Sequence, residues 1–223
     1  AAAGLTAGSI TPTGASVGTK QGFSIIKWTA PDPQDNTATV PHGLTQKPDF
    51  WAVKSLDGSR DWICYTEQVD GSLDFAHFNN AEVFANSSAT APTATTFGVY
   101  GNDINTAGED QIAYLWHDVP GLQKFGTYTS GGSTYDGPYI ELGFKPAIVM
   151  VKAATRTFGS NWSVIDAERN KGNFSSSGSG TKISYWSTNT VEFTSGGAQL
   201  DILSNGFKVR NNSSDINDGG TYI

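Results

Sequence analysis

Three histidines, one cysteine and 21 carboxylates are the first places to look for chemistry in this 223-residue chain. His42, His77 and His117 stand far apart, and none has a His or Cys at the short spacing of a zinc site. His42 falls in a turn and His117 at a strand end, so turn and packing roles are expected of both. Cys64 sits in Trp62-Ile63-Cys64-Tyr65, where a small buried hydrophobe fits better than a reactive thiol. The carboxylates, from Asp57 and Asp61 to Asp166 and Glu168, include no two that the sequence selects as the facing pair of a glycosidase. There is no Gly-x-Ser-x-Gly elbow, Walker loop or dinucleotide fingerprint. The reading therefore assigns no catalytic, cofactor-binding or metal-binding residue and expects a protein that is not an enzyme.

Two further stretches invite a functional reading. Asp215-Ile216-Asn217-Asp218-Gly219-Gly220 resembles a calcium loop, but its fifth position is Gly and no Glu closes it. Asn102-Asp103-Ile104-Asn105 is a similar run, and in both Asn and Asp are expected to make turns by bonding their own backbone. Tyr185 and Trp186 follow a Gly/Ser-rich stretch over residues 172–180, the most mobile-looking part of the chain. Aromatics next to such a loop could stack on a sugar face, so Tyr185 and Trp186 are the candidate ligand or host-surface contacts.

Positioning these residues requires strands. The chain has 6 Trp, 8 Tyr, 12 Phe and 26 Gly but only 16% charged residues, a composition suited to short strands joined by turns. One Cys excludes an internal disulfide framework. Lys plus Arg is 14 against 21 Asp plus Glu, and the net charge of -7 argues against a phosphate-tracking nucleic-acid partner. No apolar run approaches the roughly 20 residues of a membrane helix, so no membrane insertion is expected. The start, Ala1-Ala2-Ala3-Gly4, lacks Met and a basic region, and reads as part of a longer protein or a chain whose start was removed.

Strand-like runs recur between turn residues: 23–28, 49–54, 61–65, 96–100 and 111–116. Residues 79–94 read as a loop. The landmarks then repeat after about 100 residues. Trp28-Thr29 corresponds to Tyr128-Thr129, Lys47-Pro48 to Lys145-Pro146, and Lys54 to Lys152, each Lys six residues after its Pro. Trp62 corresponds to Trp162, Phe97 and Val99 to Phe207 and Val209, and Asp103-Ile104-Asn105 to Asp215-Ile216-Asn217. The expected fold is all-β: two tandem antiparallel β-sandwich, jelly-roll-like repeats, with Trp62 and Trp162 as equivalent core anchors. The expected organisation is a connecting segment over 1–21, repeat 1 over 22–121 and repeat 2 over 122–223. The second repeat is expected to lack its last strand, because only Thr221-Tyr222-Ile223 follows the Gly219-Gly220 turn. The open edge would be completed by sequence beyond it or by another chain.

Gly22-Phe23-Ser24-Ile25, His42-Gly43-Leu44 with Lys47-Pro48, Val119-Pro120-Gly121 followed by Phe125-Gly126-Thr127-Tyr128-Thr129, Gly143-Phe144-Lys145-Pro146, and Leu203-Ser204-Asn205-Gly206-Phe207-Lys208-Val209 carry a resemblance in their order. They resemble a repeat domain without assigned activity found in virion and tail-fibre-like proteins of tailed bacteriophages, particularly marine and cyanobacterial ones. The similarity runs over about residues 22 to 223. It implies a structural or host-recognition protein of the virion, a tail fibre or head-surface appendage, and it supplies no catalytic residue. Its implied partners are other copies of the chain, with trimers the family expectation, other virion proteins and a host surface glycan. A lectin-like glycan-binding module is the alternative reading, and a polysaccharide-degrading enzyme the second.

Overall fold

The computed structural model describes residues 4–132, 136–155, 160–170, 173, 181–192 and 199–223. The stretch over 172–180, apart from Asn173, lies outside the described residues. The chain divides into two units, Ala1–His77 with Ala85–Val119, and Phe78–Phe84 with Pro120–Ile223.

The first unit runs β1 (Gly14–Gly18), β2 (Phe23–Thr29), β3 (Thr39–Pro41), β4 (Phe50–Ser55), β5 (Ile63–Thr66), β6 (Asp74–His77), β7 (Ala85–Asn86), β8 (Thr96–Gly98), one helical turn α1 (Asn102–Asn105) and β9 (Asp110–Trp116). Seven strands form one antiparallel sheet in the order β1-β2-β9-β4-β5-β6-β7, and β3 pairs with β8 as a separate ribbon. Successive side chains of a strand point to opposite faces. In β2 this buries Ser24, Ile26 and Trp28, and in β9 Gln111, Ala113 and Leu115. Trp51 and Val53 of β4 pair with Leu115 and Ala113 and complete the inner face. The ribbon covers that face. Phe97 of β8 meets Trp28 edge-on at 5.6 Å and 74°, and Trp51 stacks on Tyr65 at 5.3 Å. The all-β sandwich expected from the sequence is the observed fold.

The second unit contains β10 (Tyr128–Thr129), β11 (Tyr139–Glu141), β12 (Ile148–Val151), β13 (Ser163–Asp166), β14 (Ser184–Tyr185), β15 (Leu200–Leu203), β16 (Gly206–Val209) and β17 (Thr221–Tyr222). β10 pairs with β17, and β12-β13-β14 form a small sheet. An antiparallel bridge between Ala153 and Tyr222, with paired bonds between Lys152 and Ile223, links these two. The resulting succession β10-β17-β12-β13-β14 repeats β2-β9-β4-β5-β6. β11 pairs with β16 as β3 does with β8, and Ile140 lies opposite Phe207 as Val40 lies opposite Phe97. Tyr128 meets Phe207 edge-on at 6.2 Å and 80°, the counterpart of Trp28 on Phe97. Gly43 and Gly143, both at positive φ (70° and 82°), turn the chain after β3 and β11. β17 has two residues where β9 has seven.

Three expectations change. Residues 1–21 are more than a connecting segment: β1 pairs with β2 over five residues, and Ile10 joins the core of the first unit, with Leu5 and Ala15 packed against it. Residues 79–94 contain the two-residue strand β7, and Phe78–Phe84 belongs to the second unit. Trp62 is not a core anchor. It and Trp162 stand at equivalent places, immediately before β5 and β13, but only Trp162 is buried. Strand parity keeps Trp62 out of the core: Ile63 and Tyr65 point inward, so Trp62 lies on the other face, against Tyr114 at 6.0 Å, and Trp162 has the same parity but is covered on that face. Phe78 and Phe84 cover Trp162 in the second unit, at 4.8 and 6.0 Å.

Truncating an inner-face Trp should therefore cost far more than truncating Trp62. Trp51→Ala is expected to lose about 3–5 kcal/mol and Trp62→Ala about 1–2 kcal/mol, measured by denaturant unfolding of each variant.

Candidate functional site

Tyr185 and Trp186 are adjacent and point to opposite sides, so they do not form one stacking surface. Tyr185 packs against the second core. Its hydroxyl donates to Asp215 Oδ2 at 2.6 Å. Burial, reinforced by that hydrogen bond and the charge of Asp215, raises its pKa far above the ordinary phenol value. Its polar end is thus already engaged within the fold.

Trp186 is the residue that faces solvent, with 58% of its surface exposed. It has a firm base. Its N–H donates to Trp162 O at 3.1 Å, continuing the pairing of β14 with β13. Its indole meets Phe78 at 6.3 Å and 61°, and Phe78 rests on Trp162. Beneath lies Lys152, fully buried, with its ammonium 5.5 Å from the Trp162 ring centre and donating to Ser160 O at 2.8 Å. An exposed indole held on a packed aromatic base offers an apolar face with little side-chain freedom left to lose.

A second, broader surface was not singled out from the sequence. The outer face of the large sheet carries Phe23, Phe50, Tyr114 and Trp116, with Trp62 beside them. Ring centres lie 5.0 Å apart for Phe23–Trp116, 6.2 Å for Phe50–Trp116, 6.4 Å for Tyr114–Trp116 and 6.0 Å for Trp62–Tyr114. Ile25 and Ile112 extend the patch, and the Lys27–Asp110 ion pair at 2.8 Å borders it. Antiparallel sheets commonly pack on one face and meet water on the other. This one is apolar on both. The signal was present in the alternation of Phe23 with Ile25 and of Ile112 with Tyr114 and Trp116, the positions out of phase with the core.

The remaining candidates serve the framework. Asp215 accepts from Tyr185 and from the Asn161 N–H at 3.0 Å. Asn217 is fully buried, donates to Asn211 O and accepts from the Gly131 N–H. Asn105, its counterpart, is also buried and donates to Asp35 O at 2.8 Å. The two amides tie the turn before β9 to the loop after β2, and the turn before β17 to the loop after β10. Cys64 is buried, and its thiol donates to Ala76 O at 3.2 Å. His77 Nε2 stands 3.9 Å from Asp61. Among the described residues, no three His, Cys, Asp or Glu side chains are grouped so as to hold a metal ion.

Tyr185 and Trp186 are thus separable by mutation. Tyr185→Phe should cost about 1–2 kcal/mol through the lost hydrogen bond to Asp215, whereas Trp186→Ala should stay within about 0.5 kcal/mol of wild type. Thermal unfolding of the two variants measures both.

Nothing among curated proteins or solved structures matches the chain. One family does, over the whole of residues 1–223, so that its domain takes in both units and the first 21 residues as well. The chain belongs to the family described as domain of unknown function DUF7483.

Proposed function

We propose that this chain is a non-enzymatic structural protein of a bacteriophage virion, a tail fibre or head-surface appendage built from several copies of itself and contacting the host surface. The observation that carries the reading is the aromatic outer face of the large sheet. Phe50 is buried there, while Phe23, Tyr114 and Trp116 are half-buried and leave part of a contiguous apolar surface open, the kind of surface that marks sites of association. The two halves support a scaffold role. The pairs they share, Lys54 and Lys152, Ile104 and Ile216, Asn105 and Asn217, and Phe97 and Phe207, lie in packing and turn-fastening positions. The phage setting rests on the ordered landmarks in the sequence and their resemblance to virion repeat domains. In such an assembly the other copies, other virion proteins and a host glycan are the partners, and repeated contacts raise avidity through effective concentration.

The exposed indole of Trp186 favours a second reading, a lectin-like module that binds glycan by stacking.

The assembly reading predicts that the purified chain sediments as an oligomer, with a trimer expected. Tyr114→Lys combined with Trp116→Lys should give monomers of unchanged far-ultraviolet circular dichroism. Imaging of phage particles with a labelled copy should place it on the tail or head surface. Monomers at every concentration, together with release of reducing ends from host polysaccharide that one Asp or Glu substitution abolishes, would overturn it. Saturable glycan-array binding by the monomer, abolished by Trp186→Ala, would decide for the lectin-like reading.

A further inference from the structure

The loop between β3 and β4, residues 42–49, is fastened by two buried imidazoles. His42 is fully buried, and its ring is bonded on both sides. Nδ1 accepts the Leu44 N–H at 3.0 Å, and Nε2 lies 3.3 Å from Thr93 O. A backbone N–H can only donate and a carbonyl can only accept. Nδ1 must therefore be bare and Nε2 must carry the proton, so the fold specifies neutral His42 in one tautomer. A proton added at Nδ1 would set two N–H groups against each other where no water reaches. The Leu44 amide would lose its acceptor, and Leu44, only 6% exposed, is part of the core.

The neighbourhood works in the same direction. Burial is the main cause holding the His42 pKa below 6.5, and the nearby His117 adds to it, against the bond to Thr93. The ring of His117, also buried, touches Thr45 Oγ1 at 3.3 Å, Gln46 Nε2 at 3.0 Å and the Asp118 carbonyl at 2.7 Å. Asp49, at the far end of the loop, accepts the Asp118 N–H at 2.7 Å. Its pKa is raised, first by burial and also by the charge of Asp118, while the Asp118 N–H bond, His117 and Lys47 pull it down. Lys47 in turn pairs with Glu67. Gly43 fixes the turn at positive φ, and a Cβ there would come within 2.8 Å of Val17 and 3.1 Å of Leu5, so the turn fits closely beneath the N-terminal segment.

We infer that residues 42–49 form an acid-released loop whose latch is the Leu44 N–H bond to His42 Nδ1. The sign follows from linkage. His42 binds a proton more readily when the loop is open, so the closed loop is fully favoured above about pH 6.5 and is lost as pH falls through the lowered value. Asp49 acts oppositely, since its raised pKa favours the closed form as pH falls through that value. The latch and Asp49 are separated by substitution. Asn places Oδ1 where His has Nδ1, so His42→Asn keeps the acceptor and removes the titration.

The test is the amide exchange protection of Leu44, followed by NMR on the whole chain between pH 7.5 and 5. In wild type, protection should fall by about tenfold per pH unit below about 6.5, the slope of a one-proton linkage. In His42→Asn it should be flat. The wild-type His42 ring should show an unprotonated Nδ1 at pH 7.5 and titrate below 6.5, where the fall in Leu44 protection levels off. Constant Leu44 protection in wild type, an equal fall in His42→Asn, or a His42 ring titrating at or above 6.5 would each overturn the inference. The ring titration decides the question even if the variant does not fold.

Discussion

The edge-on meeting of one phenylalanine with one aromatic, Trp28 of β2 or Tyr128 of β10, is the contact on which the packing of each unit depends. Phe97 against Trp28 brings the two-stranded ribbon β3-β8 down onto the large sheet, and Phe207 against Tyr128 brings the three-stranded sheet β11-β16-β15 onto β10 and β17. A two-stranded ribbon is marginal in water. It persists here because its inward ring lands on a large aromatic whose own burial depends on being covered. The same need fixes strand parity. With Trp28 inward, Ile26 and Ser24 follow it inward, and Phe23 and Ile25 go outward.

That parity connects the fold with the proposed function. The outward positions of β2 and β9 are as apolar as the inward ones toward the Phe23 end, and change to Lys27 and Asp110 at the other. The outer face of the sheet therefore carries half-buried rings with a charged border, the arrangement on which the proposed assembly rests. The chemistry-bearing side chains are used differently. Asp215 holds Tyr185, Asn105 and Asn217 fasten turns, and Lys54 and Lys152 each donate to the carbonyl two residues before the following Trp. Lys152 can lie fully buried because the Ser160 carbonyl and the face of Trp162 receive its charge.

Much of this was legible in the sequence. Composition and turn spacing pointed to short antiparallel strands, and the ordered landmarks identified residues that occupy equivalent places in the two units, down to Ile104 with Ile216. The site was less legible. Tyr185 and Trp186 are neighbours in sequence, and only the strand pleat separates a core-edge phenol from an exposed indole. Trp62 was misread because equivalence of position does not carry equivalence of burial. What covers Trp162 is Phe78 and Phe84, contributed from a distant part of the chain. The small, polar composition of residues 1–21 concealed β1, whose pairing uses backbone groups that Gly and Ser supply as well as any residue. The His42 latch depends on which ring nitrogen meets which backbone group, and spacing carries no trace of that.

In the proposed assembly the aromatic outer face of the large sheet is covered by another molecule. Hydroxyl-radical footprinting of the protein in its native assembly, compared with the isolated chain, tests it most directly. Strong protection of Tyr114 and Trp116 is expected in the assembly. Equal oxidation of those two residues in both states would contradict it.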